Sequence, residues 1–154
     1  MIRKALLKDV PNIQNLVNYY ADKNQMLPKS LSVLYENIRD FWVEEDEDGN
    51  ILGCVAASVC WEDLAEIKSL AVREDCQKKG LGRKLVLKGI EELKDLGIKK
   101  VFTLTYSVGF FEKIGFVLID KKKLPQKIWT ECVYCPKFPD CGEEAMMLEI
   151  DTKN

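Results

Sequence analysis

The sequence predicts an α/β domain in which about four helices flank one mixed, mostly antiparallel sheet. Two neighbouring apolar runs, 51–61 and Leu64–Val72, are separated by a short acidic turn, which is typical of an antiparallel hairpin. The second run leads through a glycine-containing loop into a long amphipathic helical pattern. Shorter apolar runs and helical patterns lie on both sides of this unit, so we expect one layered domain.

The N-terminal part predicts a strand followed by a helix. Residues 1–7 form a short first strand. Asp9 is a good N-cap residue, and Pro11 suits the first turn of the helix that follows. The apolar face of this helix comprises Val10, Ile13, Leu16, Val17 and Tyr20.

A second helix and the next strand follow. Pro28 interrupts the chain, and Ser30 or Ser32 can then cap a helix. The residues of this helix expected to face inward are Leu31, Leu34, Tyr35 and Ile38. Residues 41–44 form a strand, and the Asp-Gly pair at 48–49 predicts a tight turn.

The C-terminal half predicts the longest helix and three more strands. This helix covers residues 82–96 and ends before Gly97, a favoured residue after a helix. Its apolar face comprises Leu81, Leu85, Val86, Gly89, Ile90, Leu93 and Leu96. The remaining elements are a strand at 99–105, a short helix at 107–114, and strands at 116–119 and 145–150.

The loop before the long helix is a candidate anion site. A helix N-terminus offers backbone N–H groups without intrahelical partners, together with partial positive charge. Gly80 and Gly82 would let a phosphate approach the backbone. The basic residues around them are Lys78, Lys79, Arg83 and Lys84. The alternative is a plain strand-to-helix turn with solvated lysines. A P-loop and a Rossmann fingerprint are disfavoured, since neither glycine spacing is present.

Composition narrows the class of protein. With 154 residues we expect one domain, 1–154, and a net charge of −2 gives no general attraction to nucleic acid or anionic membranes. No apolar run is long enough for a transmembrane helix, and the N-terminal run is too short for a signal peptide. We therefore expect a cytoplasmic protein with reduced cysteines.

Three of the six cysteines cluster in a segment, 120–144, that lies between the last two strands. Cys132, Cys135 and Cys141 include a C-x-x-C pair, which is a common half-site for zinc. The chain has no histidine, so a fourth ligand would have to be a carboxylate or come from a partner. Structural thiols are the favoured interpretation, with a metal site and a redox pair as alternatives.

Two motifs resemble the GNAT superfamily of N-acetyltransferases. Residues 77–82 read Q-x-x-G-x-G after the strand ending Leu-Ala-Val, and residues 110–116 read F-F-x-x-x-G-F. The resemblance implies a sheet that splays to admit acetyl-CoA, with the strand end binding the pantetheine arm and the thioester oxygen, and the loop binding the pyrophosphate. The implied cofactor-binding residues are Leu70, Ala71, Val72, Gln77, Lys78, Lys79, Gly80, Leu81, Gly82, Arg83, Lys84 and Phe111.

Acetyl transfer needs a base that deprotonates the amine, and an acid can protonate the departing thiolate. Because histidine is absent, the base must be a carboxylate, a tyrosine, a cysteine or a water held by one of them. Glu66, amid apolar neighbours on the second hairpin strand, is the candidate, acting through water, and the resemblance supports it because these enzymes often have a basic glutamate on this strand. The alternative is a glutamate on a solvated strand face. Alternation of side chains predicts that Glu66 shares a face with Lys68 and Leu70. The tyrosine that usually serves as acid in the family is Phe111 here, so the candidates are Tyr106, Ser107 or no acid at all.

Within the superfamily, the chain resembles the short N-acetylglutamate synthase type of amino-acid acetyltransferase. The matching residues are at 65–72, 27–31, 102–106 and 124–129, the last followed by the cysteine cluster. This implies transfer to the α-amine of a small amino acid, glutamate first, within arginine synthesis. Lys29 stands where a basic residue contacts the substrate carboxylate, and Arg3 and Arg39 are further candidates.

The sequence is also compatible with three other functions. A GNAT enzyme could act on another amine, such as a protein N-terminus, a polyamine or an antibiotic. The chain could be a non-catalytic acyl-CoA sensor, because Phe111 cannot donate a proton. It could also be a metal-dependent interaction module built on the cysteine segment. We expect no metal in the chemistry, and a homodimer is possible through the last strands.

Overall fold

The computed structural model describes residues 1–23, 26, 28–124 and 143–150. One seven-stranded sheet has the order β1-β2-β3-β4-β5-β7-β6. The strands are β1 (Ile2–Lys4), β2 (Phe41–Glu45), β3 (Ile51–Val59), β4 (Leu64–Val72), β5 (Lys100–Thr105), β6 (Val117–Ile119) and β7 (Glu144–Glu149). The helices are α1 (Val10–Ala21), α2 (Leu31–Glu36), α3 (Leu81–Asp95) and α4 (Val108–Glu112). Of the described strand pairs, β4 and β5 run parallel and the others antiparallel. The predicted mixed sheet with about four helices is confirmed.

Helices cover both faces of the sheet. On one face α3 buries Leu85, Val86 and Leu93 against β3 and β4. The helix lies close to the sheet because Gly89 has no side chain: a Cβ there would stand 3.1 Å from Ile67 Cδ1. On the other face α1 and α2 pack against β2 and β3. No helix in the described part of the chain is long and apolar enough to span a membrane.

The short helix α2 buries less than its sequence pattern predicts. Ser30 is its N-cap and accepts a hydrogen bond from the Val33 N–H at 3.2 Å. Leu34 is fully buried, but Leu31 and Tyr35 are exposed, because six residues make too few turns to keep a wide stripe against the sheet. Leu96 is likewise exposed, since it follows the last residue of α3.

Strand β4 leaves β5 after a short parallel ladder. The two strands pair from Leu64 to Glu66, opposite residues 100–102, and then diverge. At the point of divergence Thr103 donates its hydroxyl to the Ile67 carbonyl at 2.8 Å. The splay expected near the end of β4 is therefore present, and it begins directly after Glu66.

A β-bulge interrupts the pairing of β4 with its other neighbour, β3. Ala56 pairs with Lys68 and Cys54 with Ala71, so β4 has one residue more than β3 at this point. Ser69 adopts a left-handed backbone with φ of 56°, and its carbonyl accepts from the Cys54 thiol at 3.4 Å. Burial raises the pKa of this thiol to about 12, so it remains a protonated donor.

The bulge corrects one prediction. Alternation of side chains places Leu70 on the face of Glu66 and Lys68, but the extra residue reverses the alternation. Leu70 instead packs with Val72 on the α3 side, while Ala71 packs with the α1 side.

Arg3 has a structural role, which corrects its assignment as a substrate ligand. It lies on β1, three strands away from β4. Its guanidinium donates to Asp9 at 2.8 and 3.0 Å and to Glu45 at 2.6 Å. Asp9 also accepts from the Leu6 N–H at 2.7 Å. Arg3 thus joins the edge of the sheet to the start of α1.

We predict that Asp9→Asn lowers the free energy of unfolding by about 2 kcal/mol at neutral pH, because a buried partner of Arg3 loses its charge. Burial alone would raise the pKa of Asp9, but the hydrogen bonds from Arg3 and Leu6 outweigh it and lower that pKa. The contribution is therefore complete above about pH 5 and is lost as pH falls below about 4. Denaturant unfolding across this pH range measures it.

Asp75→Asn is the matched control, since Asp75 also pairs with an arginine but is 63% exposed. It should change stability by less than about 0.5 kcal/mol. An Asp9→Asn effect as small as the control, or one that does not shrink at acid pH, contradicts the account.

Candidate active site

A cavity of about 820 Å³ opens where β4 and β5 part. Its walls are residues 66–72 of β4, residues 103–107 at the end of β5, the loop leading into α3, and α4. Lys29, between α1 and α2, and Glu143, directly before β7, also line the cavity. The sequence predicted neither Glu143 nor Lys68 as a wall residue, because their place depends on the splay.

The loop into α3 gives the cavity wall a helix N-terminus, a feature that suits an anion. The first hydrogen bond of α3 runs from the Lys84 N–H to the Gly80 carbonyl at 3.1 Å, so the N–H groups of residues 81–83 precede it. Gly80 has a φ of 77° and Lys78 a φ of 70°, so two left-handed residues turn the backbone round this end. The arrangement fits the phosphates of a nucleotide cofactor.

The two glycines serve different purposes. Gly80 supplies the left-handed backbone, and nothing lies within 4 Å of the position of its missing Cβ. At Gly82 a Cβ would lie 3.4 Å from the Phe110 ring. This is an ordinary van der Waals distance, so packing does not require glycine at position 82. Gly82 lines the cavity, where the lack of a side chain leaves its backbone accessible.

The basic residues of the loop divide into two groups. Lys78 and Arg83 line the cavity, as do Leu81 and the two glycines. Lys79 and Lys84 are exposed and stand outside the described wall, so they act on an anion only at longer range. Lys113 of the α4 end joins the wall and was not predicted.

The Gln77 side chain holds the loop in place. Its amide donates to the Tyr20 hydroxyl at 2.6 Å and to the Val72 carbonyl at 3.3 Å. The Tyr20 hydroxyl itself donates to the same carbonyl, and burial raises its pKa, so it stays protonated. The resemblance predicts Gln77 as a pyrophosphate ligand. In the structure its side chain links the end of β4 to α1.

Glu66 and Lys29, the candidate base and the candidate carboxylate ligand, both line the cavity. Glu66 is half-buried and pairs across the sheet with Ser58, which places its side chain on the α1 side with that of Lys68. Lys29 is half-buried and lines the same cavity. The structure therefore places a carboxylate and an ammonium group that lie far apart in the sequence in the wall of one cavity.

The cavity wall includes two adjacent aromatic residues of α4, Phe110 and Phe111, and neither has a hydroxyl group. Phe111 is buried and makes edge-to-face contacts with Phe110 and Phe116, with ring centroids 5.0 and 5.2 Å apart. Tyr106 and Ser107 line the cavity at the end of β5. The Ser107 N–H is held by the Thr105 hydroxyl at 2.8 Å.

Several predicted residues lie elsewhere. Among the residues that the structure describes, neither Arg3 nor Arg39 lines the cavity, and Arg39 is exposed with its carbonyl bound to Lys4. The candidate metal ligands Cys132, Cys135 and Cys141 lie outside the described residues, as do Leu27 and residues 125–129. Within the described ranges no group of three potential metal ligands occurs.

Comparison with known sequences establishes the family. The acetyltransferase (GNAT) family profile matches residues 9–116, and the chain belongs to this family. A Chlorobaculum tepidum protein, the uncharacterized N-acetyltransferase CT2212, is 42% identical over 146 residues, which cover 95% of this chain and 94% of that protein. An amino-acid acetyltransferase from Mycobacterium tuberculosis is 37% identical over 133 residues, or 85% of this chain and 76% of that one.

A solved structure agrees with this assignment. N-acetylglutamate synthase from Neisseria gonorrhoeae, complexed with coenzyme A and N-acetyl-glutamate, superposes with a TM-score of 0.89 at 25% identity. The alignment covers 98% of this chain and 35% of the synthase, so this chain spans about a third of that protein. The chain is an acetyl-CoA-dependent N-acetyltransferase. The cavity between β4 and β5 includes a helix N-terminus of the kind that suits the phosphates of this cofactor.

We predict that Tyr20→Phe raises the KM for acetyl-CoA about three- to tenfold, because one hydroxyl that holds the Val72 carbonyl and Gln77 is lost. The acceptor KM should change less than twofold. Initial rates with each substrate varied in turn measure both constants.

Tyr19→Phe is the control, since the neighbouring Tyr19 hydroxyl is exposed and binds Glu74 and Lys23 instead. It should leave both constants unchanged. Equal effects of the two variants would show that the buried tie does not hold the cofactor loop.

Proposed function

We propose that the acceptor is the α-amine of a small amino acid, with L-glutamate as the first choice, and that the product enters arginine biosynthesis. The observation that carries this is the placement of Lys29 and Glu66 in the wall of one cavity, where β4 and β5 diverge. A carboxylate-bearing amine can place its charge at Lys29 and its amine near Glu66. The amino-acid acetyltransferase and N-acetylglutamate synthase among its relatives support the same class of acceptor.

The reaction proceeds by direct transfer in a ternary complex. Glu66 takes a proton from the ammonium group through a water molecule, and the neutral amine attacks the thioester carbonyl carbon. Backbone N–H groups near residues 70–72 stabilise the oxyanion. The attack forms the C–N bond, and collapse of the tetrahedral oxyanion breaks the C–S bond, so that CoA leaves as the thiolate. The amide nitrogen loses its remaining extra proton to the thiolate or to water.

Two routes exist for the thiolate. The Tyr106 or Ser107 hydroxyl, both on the cavity wall, can protonate it. Otherwise it leaves as the free thiolate and takes up a proton from water afterwards. The aromatic ring of Phe111 takes no part in proton transfer and forms part of the wall.

We predict that a panel of the twenty amino acids, spermidine and an N-terminal peptide shows a preference for glutamate or glutamine when thiol release from acetyl-CoA is measured near pH 8. Lys29→Ala should raise the KM of the preferred amino acid at least tenfold and leave the KM for acetyl-CoA unchanged. Lys121→Ala, at a lysine distant in sequence and outside the described cavity wall, is the control.

Activity on spermidine or the peptide alone overturns the amino-acid proposal. Thiol release from no acceptor, with acetyl-CoA still bound, indicates a sensor.

We also predict that Glu66→Gln lowers kcat at neutral pH by about 10²- to 10⁴-fold, the range expected for loss of a general base. The KM for acetyl-CoA should stay within twofold, and part of the lost rate should return at high pH, where more of the amine is already neutral. Glu62→Gln changes an exposed carboxylate in the turn before β4 and serves as the control. Equal rates for Glu66→Gln and wild type remove Glu66 from the mechanism.

A further inference from the structure

One side chain of α1 holds both polar backbone atoms of Lys29. The Lys29 N–H donates to Asn18 Oδ1 at 3.0 Å, and Asn18 Nδ2 donates to the Lys29 carbonyl at 3.4 Å. Gln14 Nε2 donates to the same carbonyl at 3.2 Å. Lys29 itself lies outside any helix or strand, so these side chains supply the hydrogen bonds that regular structure would otherwise provide.

The arrangement fixes the orientation of this residue as well as its position. Gln14 and Asn18 are four residues apart, on one face of α1. Bonds to both the N–H and the carbonyl of one residue set the direction in which its side chain leaves the backbone. On the C-terminal side, Ser30 caps α2, so the chain is held immediately after Lys29 as well.

The helix that provides these bonds is itself firmly placed. Val10, Ile13 and Val17 of α1 are fully buried against the sheet. Because α1 is fixed on the sheet, it also fixes the position of the Lys29 backbone relative to β4, the strand that carries Glu66. A lysine side chain is long and flexible, so the place of its ammonium group depends strongly on where the root is held.

We propose that Asn18 is a positioning residue for acceptor binding, which acts by holding the Lys29 backbone so that the ammonium group meets the carboxylate of the acceptor. This inference rests on the role of Lys29 in the proposed function. It adds a determinant on α1 that touches neither substrate nor cofactor.

Asn18→Ala tests the proposal, and alanine favours the helix, so α1 should still form. We expect the acceptor KM to rise about tenfold, with the KM for acetyl-CoA and kcat within twofold. Gln14→Ala removes one donor from the same carbonyl and should raise the acceptor KM by about two- to threefold. Asn15→Ala is the matched control, because Asn15 is an exposed asparagine on the same helix. Thermal unfolding of each variant identifies any loss of folding.

A double-mutant cycle with Lys29→Ala separates positioning from a general structural effect. If Asn18 acts through Lys29, adding Asn18→Ala to Lys29→Ala raises the acceptor KM no further. An additive rise in the double variant overturns the proposal, and so does an unchanged acceptor KM in Asn18→Ala and Gln14→Ala. If Lys29→Ala alone leaves the acceptor KM unchanged, the proposed role of Lys29 has failed, and the inference fails with it.

Discussion

The parting of β4 from β5 after three paired residues is the constraint on which the rest of the site depends. A strand that leaves its neighbour exposes backbone groups that must find other partners. Side chains bind the carbonyls at the two ends of the open stretch: Thr103 binds that of Ile67, and Tyr20 with Gln77 binds that of Val72. The backbone between them lines a cavity that suits a pantetheine arm lying like an added strand.

The bulge in β4 makes the two faces of this strand unequal. Before Ser69, the polar side chains Glu66 and Lys68 lie on the α1 side of the sheet and line the cavity. After it, Leu70 and Val72 turn toward α3 and the cofactor loop. One irregular residue therefore separates the polar side chains of Glu66 and Lys68 from the apolar side chains of Leu70 and Val72. The buried Cys54 thiol supports the bulge through its bond to the Ser69 carbonyl.

Local patterns in the sequence predicted most of the elements and one end of the site. The hairpin of β3 and β4, the helix α3 and its anion-binding N-terminus follow from side-chain period and glycine placement. Such local patterns do not predict which side chains form hydrogen bonds with residues far away in the sequence. The Tyr20 hydroxyl meets Gln77 across 57 residues, and Arg3 meets Glu45 across 42. Leu70 was assigned to the wrong face because an inserted residue changes the alternation without leaving a mark in composition.

A crystal structure of the protein with CoA and the acceptor amino acid tests the central claim most directly. We expect the pantetheine arm between β4 and β5 beyond Thr103, bonded to the backbone of residues 70–72, and the pyrophosphate at the N–H groups of residues 81–83. The acceptor amine should lie within reach of Glu66 through one water molecule, with a carboxylate at Lys29. A cofactor bound outside the gap, or strands that close and pair through Thr105, would contradict the account.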